Sequence, residues 1–460
     1  MNLIQSSSEN LQEQIRKCTD LSELFVAMPM VSLGDIVTFI DGDRGSNYPK
    51  KEEFSDTGYC AFLNTGNITK QGFDFSEVQY ITKEKDEILR KGRIEIGDIV
   101  YTTRGTIGNV GLYQQKLFES MRINSGMVII RVDKSRVDAY YLFYILTSYL
   151  HRKTIDAIVS GSSQPQLPIS ALSRAPIPLP PLSIQQKIVK PLQAIDNKIT
   201  LNRRLNDNLE SMAQALYDYW FVQFDFPDEN GKPYKSSGGK MVWNEVLKRE
   251  IPEGWECVTI QEVADVVGGS TPYTKDSENF ASEGGIPWIT PKDLSGSSEF
   301  YIGRGEVSIT EKGRKEASLS FLPPGSILFS SRAPIGYIAI ASDYVTTNQG
   351  FKSLVPVVPE CSPYLFFLMK SLVSYFIQAA GITTFKEVSG SQVKATKIVK
   401  PAHRVLREFY EITAPILARR KSNEIETRKL TKQRDFLLPL LMNGQVQVKP
   451  QGVNYHLSAD

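Results

Sequence analysis

The chain has few of the residues that announce common chemistries. Its four cysteines (Cys18, Cys60, Cys257, Cys361) lie far apart without a C-x-x-C pair, and its three histidines (His151, His403, His456) are equally scattered. That spacing argues against a zinc site and against a disulfide framework, so we expect reduced thiols and a cytoplasmic protein. A positive charge excess is missing too: 53 basic and 51 acidic residues leave a net charge of +2, so nucleic-acid binding, if present, must use local patches. There is no Gly-x4-Gly-Lys-Ser/Thr loop for a nucleotide, and no nucleophile, histidine and carboxylate at an arguable spacing. Glu9, Glu13, Asp20 and Glu23 interrupt the N-terminal stretch, which lacks the basic start and apolar run of a signal peptide. The most apolar run, Tyr364 to Ala380, carries Lys370 at its middle and reads as a core helix rather than a membrane span.

What the chain does have is a copy of itself. Gly97-Asp-Ile-Val-Tyr-Thr-Thr-Arg104-Gly-Thr-Ile-Gly108 returns as Gly325-Ser-Ile-Leu-Phe-Ser-Ser-Arg332-Ala-Pro-Ile-Gly336. Leu33, Ile36, Phe39 and Gly42 return as Ile260, Val263, Val266 and Gly269; Asn124-x-Gly126 returns as Asn348-x-Gly350, and Tyr141-Leu-Phe143 as Tyr364-Leu-Phe366. The offset drifts only between about 221 and 228 residues, far too long for a solenoid and the size of a domain plus connector. In each copy short strands with frequent turns (Asp98 to Thr103, Gly126 to Arg131; Ser326 to Ser331, Gly350 to Val355) precede a helix, which predicts an α+β domain with a curved, mostly antiparallel sheet.

Each copy closes on a long helical pattern. Every seventh residue reads Ile188, Ile195, Asn202, Leu209, Leu216 in one and Phe409, Ile416, Asn423, Leu430, Leu437 in the other. An asparagine in an apolar seam fixes register because its amide seeks a partner amide, so we expect an antiparallel coiled coil with Asn202 opposite Asn423. Two unrelated amphipathic helices on separate cores account less well for the matched heptads. Roughly thirty helical residues span about 45 Å, a ruler between two domains. Pro176 to Pro181 and Pro401 mark the joints before the helices. The stretch from Phe224 to Gly239, with Gly231, Pro233 and Gly238, reads as a polar linker. Pro227-Asp-Glu-Asn-Gly-Lys232 within it has nuclease-like carboxylate and lysine spacing but no strand to carry it.

Polar loops occupy the same places in both copies and differ in residue. In the first, Arg44, Ser46, Asn47, Tyr48, Lys50 and Lys51, then Thr102, Thr103 and Arg104, then Ser162, Ser163 and Gln164, are candidate DNA contacts. In the second the corresponding candidates are Ser270, Thr271, Tyr273 and Lys275, then Ser330, Ser331 and Arg332, then Thr383, Thr384 and Lys386. Arginine and amide side chains address guanine and adenine edges, and hydroxyls and lysines address phosphates. For any single residue a solvated turn is the plain alternative. The basic run Arg419-Arg-Lys421 with Arg428, Lys429, Lys432 and Arg434 fits DNA, a DNA-carrying partner, or a solvated coiled-coil face.

The chain resembles the specificity subunits of type I restriction-modification systems over nearly its whole length. The resemblance is carried by Pro180-Pro-Leu-Ser-Ile-Gln-Gln-Lys-Ile188, Asn197-Lys-Ile-Thr-Leu-Asn-Arg-Arg-Leu205, Leu216-Tyr-Asp-Tyr-Trp220, Ile251-Pro-Glu-Gly-Trp255, Trp288-Ile-Thr-Pro-Lys-Asp-Leu294 and Phe436-Leu-Leu-Pro-Leu-Leu-Met-Asn-Gly444. It implies an α+β, pseudo-twofold symmetric protein of two tandem target-recognition domains separated by two long helices. The boundaries so read are an N-terminal helical extension at 1–30, a first recognition domain at 31–182, a spacer helix at 183–222, a linker at 223–255, a second recognition domain at 256–402, a second spacer helix at 403–444 and a tail at 445–460. The extension, with Leu11, Ile15, Leu21, Leu24 and Phe25, has no full counterpart before the second domain.

The resemblance further implies that each domain reads one half of a bipartite, asymmetric site in double-stranded DNA, with half-sites about one helical turn apart. It implies no catalysis and no metal on this chain: two methyltransferase subunits would carry S-adenosylmethionine and methylate adenine N6, and two restriction subunits would use ATP and Mg. In agreement, the chain lacks the Asp/Asn-Pro-Pro-aromatic tetrad that grips a flipped adenine; its nearest run is Pro178-Leu-Pro-Pro181. A duplicated, non-enzymatic protein-binding scaffold is the competing reading, and it predicts aromatic hot spots in place of arginine and amide clusters.

Overall fold

The computed structural model describes residues 29–159, 165–295, 299–332, 334–380 and 387–442. The expected N-terminal extension up to residue 28, the helix end beyond Met442 and the tail lie outside them. The chain divides into two compact units, Met1–Asn197 with Leu430–Asp460, and Lys198–Lys429. These are not the consecutive blocks expected from the sequence. Each unit combines a recognition domain with the start of the helix that follows it and the end of the other long helix.

In the first unit, strands Val37–Asp41, Met127–Val132, Ile99–Thr102 and Val110–Leu112 form an antiparallel sheet in that order. A second, three-stranded sheet sets Cys60–Leu63 between Gln79–Ile81 and Ser120–Ile123, the latter pair parallel. The second unit repeats the plan. Ala264–Gly268, Lys352–Pro356, Ile327–Ser331 and Ile335–Ala341 pair antiparallel, with Tyr301–Ile302 added in parallel at the edge. Ile286–Ile289 lies between Val307–Ile309 and a parallel Thr346–Thr347.

Equivalent residues do equivalent work. Leu33 and Ile260, both fully buried, sit on short turns held by the capping pairs Ser32 with Asp35 and Thr259 with Glu262. Thr82 and Thr310 cap the helices Lys83–Ile88 and Glu311–Glu316 through their hydroxyls. Tyr141 donates its hydroxyl to Pro178 O at 2.8 Å, and Tyr364 donates to Val399 O. The apolar Tyr364 segment lies in the core helix Ser362–Ala379, and no helix of the described residues is long and apolar enough to cross a membrane. Its counterpart in the first unit is broken into Ala139–Thr147 and Tyr149–Ile158, with the Ser148 hydroxyl accepting from His151 N at the break.

The stretch read as a linker is packed instead. Phe226 lies between Trp255 (4.8 Å) and Tyr234 (4.7 Å) in stacked pairs, and Asp225 accepts from Ser236 N and Oγ. Met241–Asn244 and Arg249–Pro252 then form a hairpin. Three aromatics within a Gly- and Pro-containing polar run supplied enough apolar surface to dock it, which composition alone concealed.

The long helices run Leu182–Tyr217, followed by a π turn Asp218–Val222, and His403–Met442. At 36 and 40 residues they are roughly 54 and 60 Å long, more than the length expected. Within the second unit the two pair antiparallel, but Asn202 and Asn423 do not meet. Asn423 Nδ2 donates to Asn206 Oδ1 at 3.0 Å, while Asn202 Nδ2 donates to Glu426 Oε2 at 2.8 Å. The amide pair forms, one turn out of the expected register: two like helices laid antiparallel are self-consistent at any stagger, and the heptad frame does not include Asn206. A buried charge crosses between the helices beside the amide pair. Buried Arg420 donates to Asn206 O at 2.6 Å and pairs with Glu210 (3.1 Å) and Glu424 (3.2 Å), and Glu424 accepts from the main-chain N–H of Phe300 and Tyr301. Burial raises the Glu424 carboxyl above its ordinary range despite those donors. In the first unit Arg434 meets Asp196 at 3.0 Å, which also accepts from Tyr144 Oη, and Leu438 and Leu441 join Ile188, Val189 and Leu192 in the core.

Candidate DNA interface

In each unit the loops gather at one end of the large sheet around an Asn-x-Gly turn. Asn124 Oδ1 accepts from Gly126 N at 2.9 Å, and Asn348 Oδ1 accepts from Gly350 N at 2.9 Å. Gly42 and Gly269 allow the first loop to touch this turn, because a Cβ there would stand 2.2 Å from Asn124 O and 2.0 Å from Asn348 O. The glycine carbonyls of the turn are bound by the adjacent strand: Thr103 Oγ1 donates to Gly126 O at 3.0 Å, and Ser331 Oγ to Gly350 O at 3.2 Å.

Those hydroxyls are among the residues expected to touch DNA, and the structure corrects that expectation. Thr102, Thr103, Ser330 and Ser331 are buried; Thr103 and Ser331 donate to the turn glycines, and Thr102 and Ser330 both donate and accept. Thr102 Oγ1 donates to Thr106 O and accepts from Asn109 N; Ser330 Oγ donates to Pro334 O (2.8 Å) and accepts from Tyr337 N (2.8 Å). A buried hydroxyl with its donor and acceptor both used has nothing left for a base or phosphate. The Thr-Thr and Ser-Ser pairs instead build the loop that presents the next residue, Arg104 or Arg332.

Arg104 is half-buried, its N–H bound to Gly126 O at 3.1 Å and its backbone bridged to Gln166. Its bridged neighbour, Gln166, carries a neutral amide. Arg332 takes the same position with its backbone bridged to Glu387, and its guanidinium meets Glu387 Oε2 at 3.5 Å. Lys352 Nζ approaches the other oxygen of that carboxylate at 3.7 Å.

The first loops diverge as well. Arg44, exposed, reaches Ser125 O at 3.4 Å and pairs with Asp41 at 3.0 Å. Asp43 ties the same loop to the neighbouring segment by accepting from Arg44 N and Arg90 N; burial would raise its carboxyl, but those main-chain donors hold it below the ordinary range. In the second unit Thr271 Oγ1 donates to Gln349, and Ser270 O accepts from Trp288 Nε1. Ser46 and Lys51 are exposed, Asn47 is half-buried, and Lys50 closes a turn through its N–H to Glu53. Tyr48 packs edge-on against Phe62 and contributes to a small core. Tyr273 and Lys275 are exposed, with the Tyr273 main chain held by Glu316 and Asn279. Ser162, Ser163, Gln164, Thr383, Thr384 and Lys386 lie outside the described residues.

The structure adds members that sequence reasoning missed: Thr65, Ser125 and Gln166 in the first unit, Gln349, Lys352 and Glu387 in the second. The signal was available for two of them, since Ser125 and Gln349 are the varying middle residues of the matched Asn-x-Gly turns. Among the described residues no group of three or more His, Cys, Asp or Glu side chains is arranged to hold a metal ion.

Two copies of one loop platform, with matched hydroxyl and Asn-x-Gly supports and a changed edge, define a duplicated module. The model of the type I restriction modification DNA specificity domain matches residues 26–211 and again 252–426, and the chain belongs to that family. It is 44% identical over 169 residues to the type I restriction enzyme MjaIX specificity subunit of Methanocaldococcus jannaschii, a match covering 35% of this chain and 39% of that protein. With the HindI specificity subunit of Haemophilus influenzae it shares 24% identity over 456 residues, 88% of this chain and 98% of the relative. The fold is that of the crystal structure of a type I restriction-modification S subunit from M. genitalium, with a TM-score of 0.54 at 17% identity over 91% of this chain and 97% of the other.

Proposed function

We propose that each unit reads one half of a bipartite, asymmetric sequence in double-stranded DNA, and that the paired long helices set the spacer between the halves. The observation that carries this reading is the doubled platform: identical hydroxyl and Asn-x-Gly scaffolding presents Arg44, Ser125, Arg104 and Gln166 in one unit and Thr271, Gln349, Arg332 and Glu387 in the other. Arginine and amide groups at a loop edge match the donor and acceptor patterns of bases in the major groove. Exposed apolar residues along the long helices, among them Leu201, Met212, Tyr410, Ile412 and Phe436, suit docking of two methyltransferase subunits. The chain itself is non-catalytic in this reading. S-adenosylmethionine belongs to the methyltransferase subunits, ATP and Mg to two restriction subunits, and the complex acts on DNA in the cytoplasm.

The test is to co-express the chain with the methyltransferase subunit of a closely similar system and map methylated adenines by single-molecule sequencing. A two-part motif is expected whose one half changes when only residues 42–166 are exchanged for those of a relative, and whose other half changes when only 268–386 are exchanged. A complex that forms but leaves DNA binding indifferent to both exchanges would favour the protein-binding scaffold.

A further inference from the structure

The two platforms differ in charge along the edge that carries the reading arginine. Leu167 N donates to Thr103 O at 3.0 Å and Val388 N donates to Ser331 O at 2.9 Å, so the residues just before them, Gln166 and Glu387, are geometric counterparts. Each is bridged through its backbone to the reading arginine, Arg104 or Arg332. In the first unit that partner is a neutral amide. In the second it is a carboxylate between Arg332 (3.5 Å) and Lys352 (3.7 Å), all on one loop edge. Lys352 is itself only 17% exposed, whereas its counterpart in the first copy, Val128, is buried and apolar.

We infer that Glu387 is a specificity-determining position: its carboxylate orients Arg332 for a base edge and opposes its use on a phosphate. The inference rests on the DNA-reading role proposed above for this loop edge.

The physical argument has two parts. A guanidinium has five N–H donors on a planar fork, and a carboxylate on one side leaves the other side aimed outward in a fixed plane, ready for the two acceptors of a guanine. A bare arginine can instead slide to the nearest phosphate, which supports binding without reading sequence. The carboxylate blocks that escape, because a phosphate approaching Arg332 also approaches Glu387. At side-chain exposures of 37% and 42% the pair adds little to folding, so its consequence falls on binding. Arg104 has neutral Gln166 in the place of that carboxylate. The second half-site is therefore read more stringently at the position its arginine addresses, and the first more permissively.

The experiment uses the full chain in complex with its methyltransferase subunits, selecting from a duplex library randomised in both half-sites and measuring affinity against an unrelated duplex over a salt series. Glu387→Gln gives the second platform the neutral partner found in the first, with Lys352 remaining as an added cation. It should lower discrimination at one position of the second half-site by about tenfold, raise affinity for the unrelated duplex and leave the first half-site unchanged. The salt dependence should steepen by roughly one counterion. Glu387→Asp should retain the discrimination. The reciprocal Gln166→Glu should sharpen one position of the first half-site and weaken binding to unrelated DNA. Unchanged discrimination in both Glu387→Gln and Gln166→Glu overturns the inference. Arg332→Ala separates that failure from failure of the underlying reading: if it weakens selected binding while Glu387→Gln does nothing, the edge reads DNA and only the role of Glu387 is wrong; if neither Arg332→Ala nor Arg104→Ala alters binding, the edge is not the reader.

Discussion

The first and second recognition units share a hydroxyl and Asn-x-Gly scaffold and differ most at the loop edge it presents. Thr103 and Ser331 bind the glycine carbonyl of the Asn-x-Gly turn, and Thr102 and Ser330 bind the loop that follows their own strand, in matched fashion although the residues differ. The residues exposed around the turn differ in charge, from Arg44 beside Asp41 in one unit to Thr271 beside Gln349 in the other. A buried hydroxyl has two required partners and tolerates only another hydroxyl, whereas a loop edge facing solvent has none. Duplication followed by change at the edge alone gives two readers from one platform.

The comparison breaks first at its glycines. Gly42→Ala and Gly269→Ala each drive a Cβ into a backbone carbonyl, at 2.2 Å and 2.0 Å, and should destabilise their own unit by about 3 kcal/mol. Hydrogen exchange read separately in the two units checks this, and sensitivity in only one unit would mean the platforms are not equivalent.

Acid separates the units next. Burial pushes His151, packed against Tyr101, down to about 4, so the unfolded chain takes up its proton at a higher pH than the folded one. The first unit therefore keeps its full stability above about pH 6.5 and loses it as pH falls toward 4, by about 2 kcal/mol at pH 5. In the second unit burial raises Glu424 and Glu299, which bind protons more readily when folded, so their contribution has the opposite sign: greater at low pH and lost as pH rises through their folded values. Exchange protection measured from pH 7 to pH 5 should fall in the first unit relative to the second, and His151→Phe should flatten the difference.

The hydroxyl scaffold predicts a smaller, matched loss. Thr102→Val and Ser330→Ala should each lower stability of their own unit by about 1–2 kcal/mol by leaving Asn109 N or Tyr337 N unpaired, with Ser330→Thr near neutral. Thermal denaturation of the variants tests this, and loss of DNA binding without loss of stability would return these side chains to the contact surface. Smallest in energy, Arg104→Ala should weaken duplex binding about tenfold and reduce the salt dependence by roughly one counterion, with stability unchanged.

The repeat made most of the fold legible in the sequence, because matched apolar positions such as Leu33 with Ile260 and Tyr141 with Tyr364 mark one core drawn twice. The site was legible as a place and less so as a set of residues. Side-chain chemistry cannot tell a hydroxyl that faces DNA from one that ties a turn, so Thr102, Thr103, Ser330 and Ser331 were read outward when they point inward. Register was half legible: an asparagine pair was foreseeable, but Asn206 as the partner lies outside the heptad frame, beside an Arg420 whose burial no heptad reveals.

The discontinuous make-up of the units also sets an order of folding. Everything the second unit needs lies between Lys198 and Lys429, while the first lacks Leu438 and Leu441 until the last helix turns have left the ribosome. Both units close over a long loop, since Asn423 of the second meets Asn206 across 217 positions, so what sets the first apart is that its closing segment is made last. The unit encoded first is thus completed last, and a chain stopped shortly after Lys429 would present a finished second reader attached to an open first one.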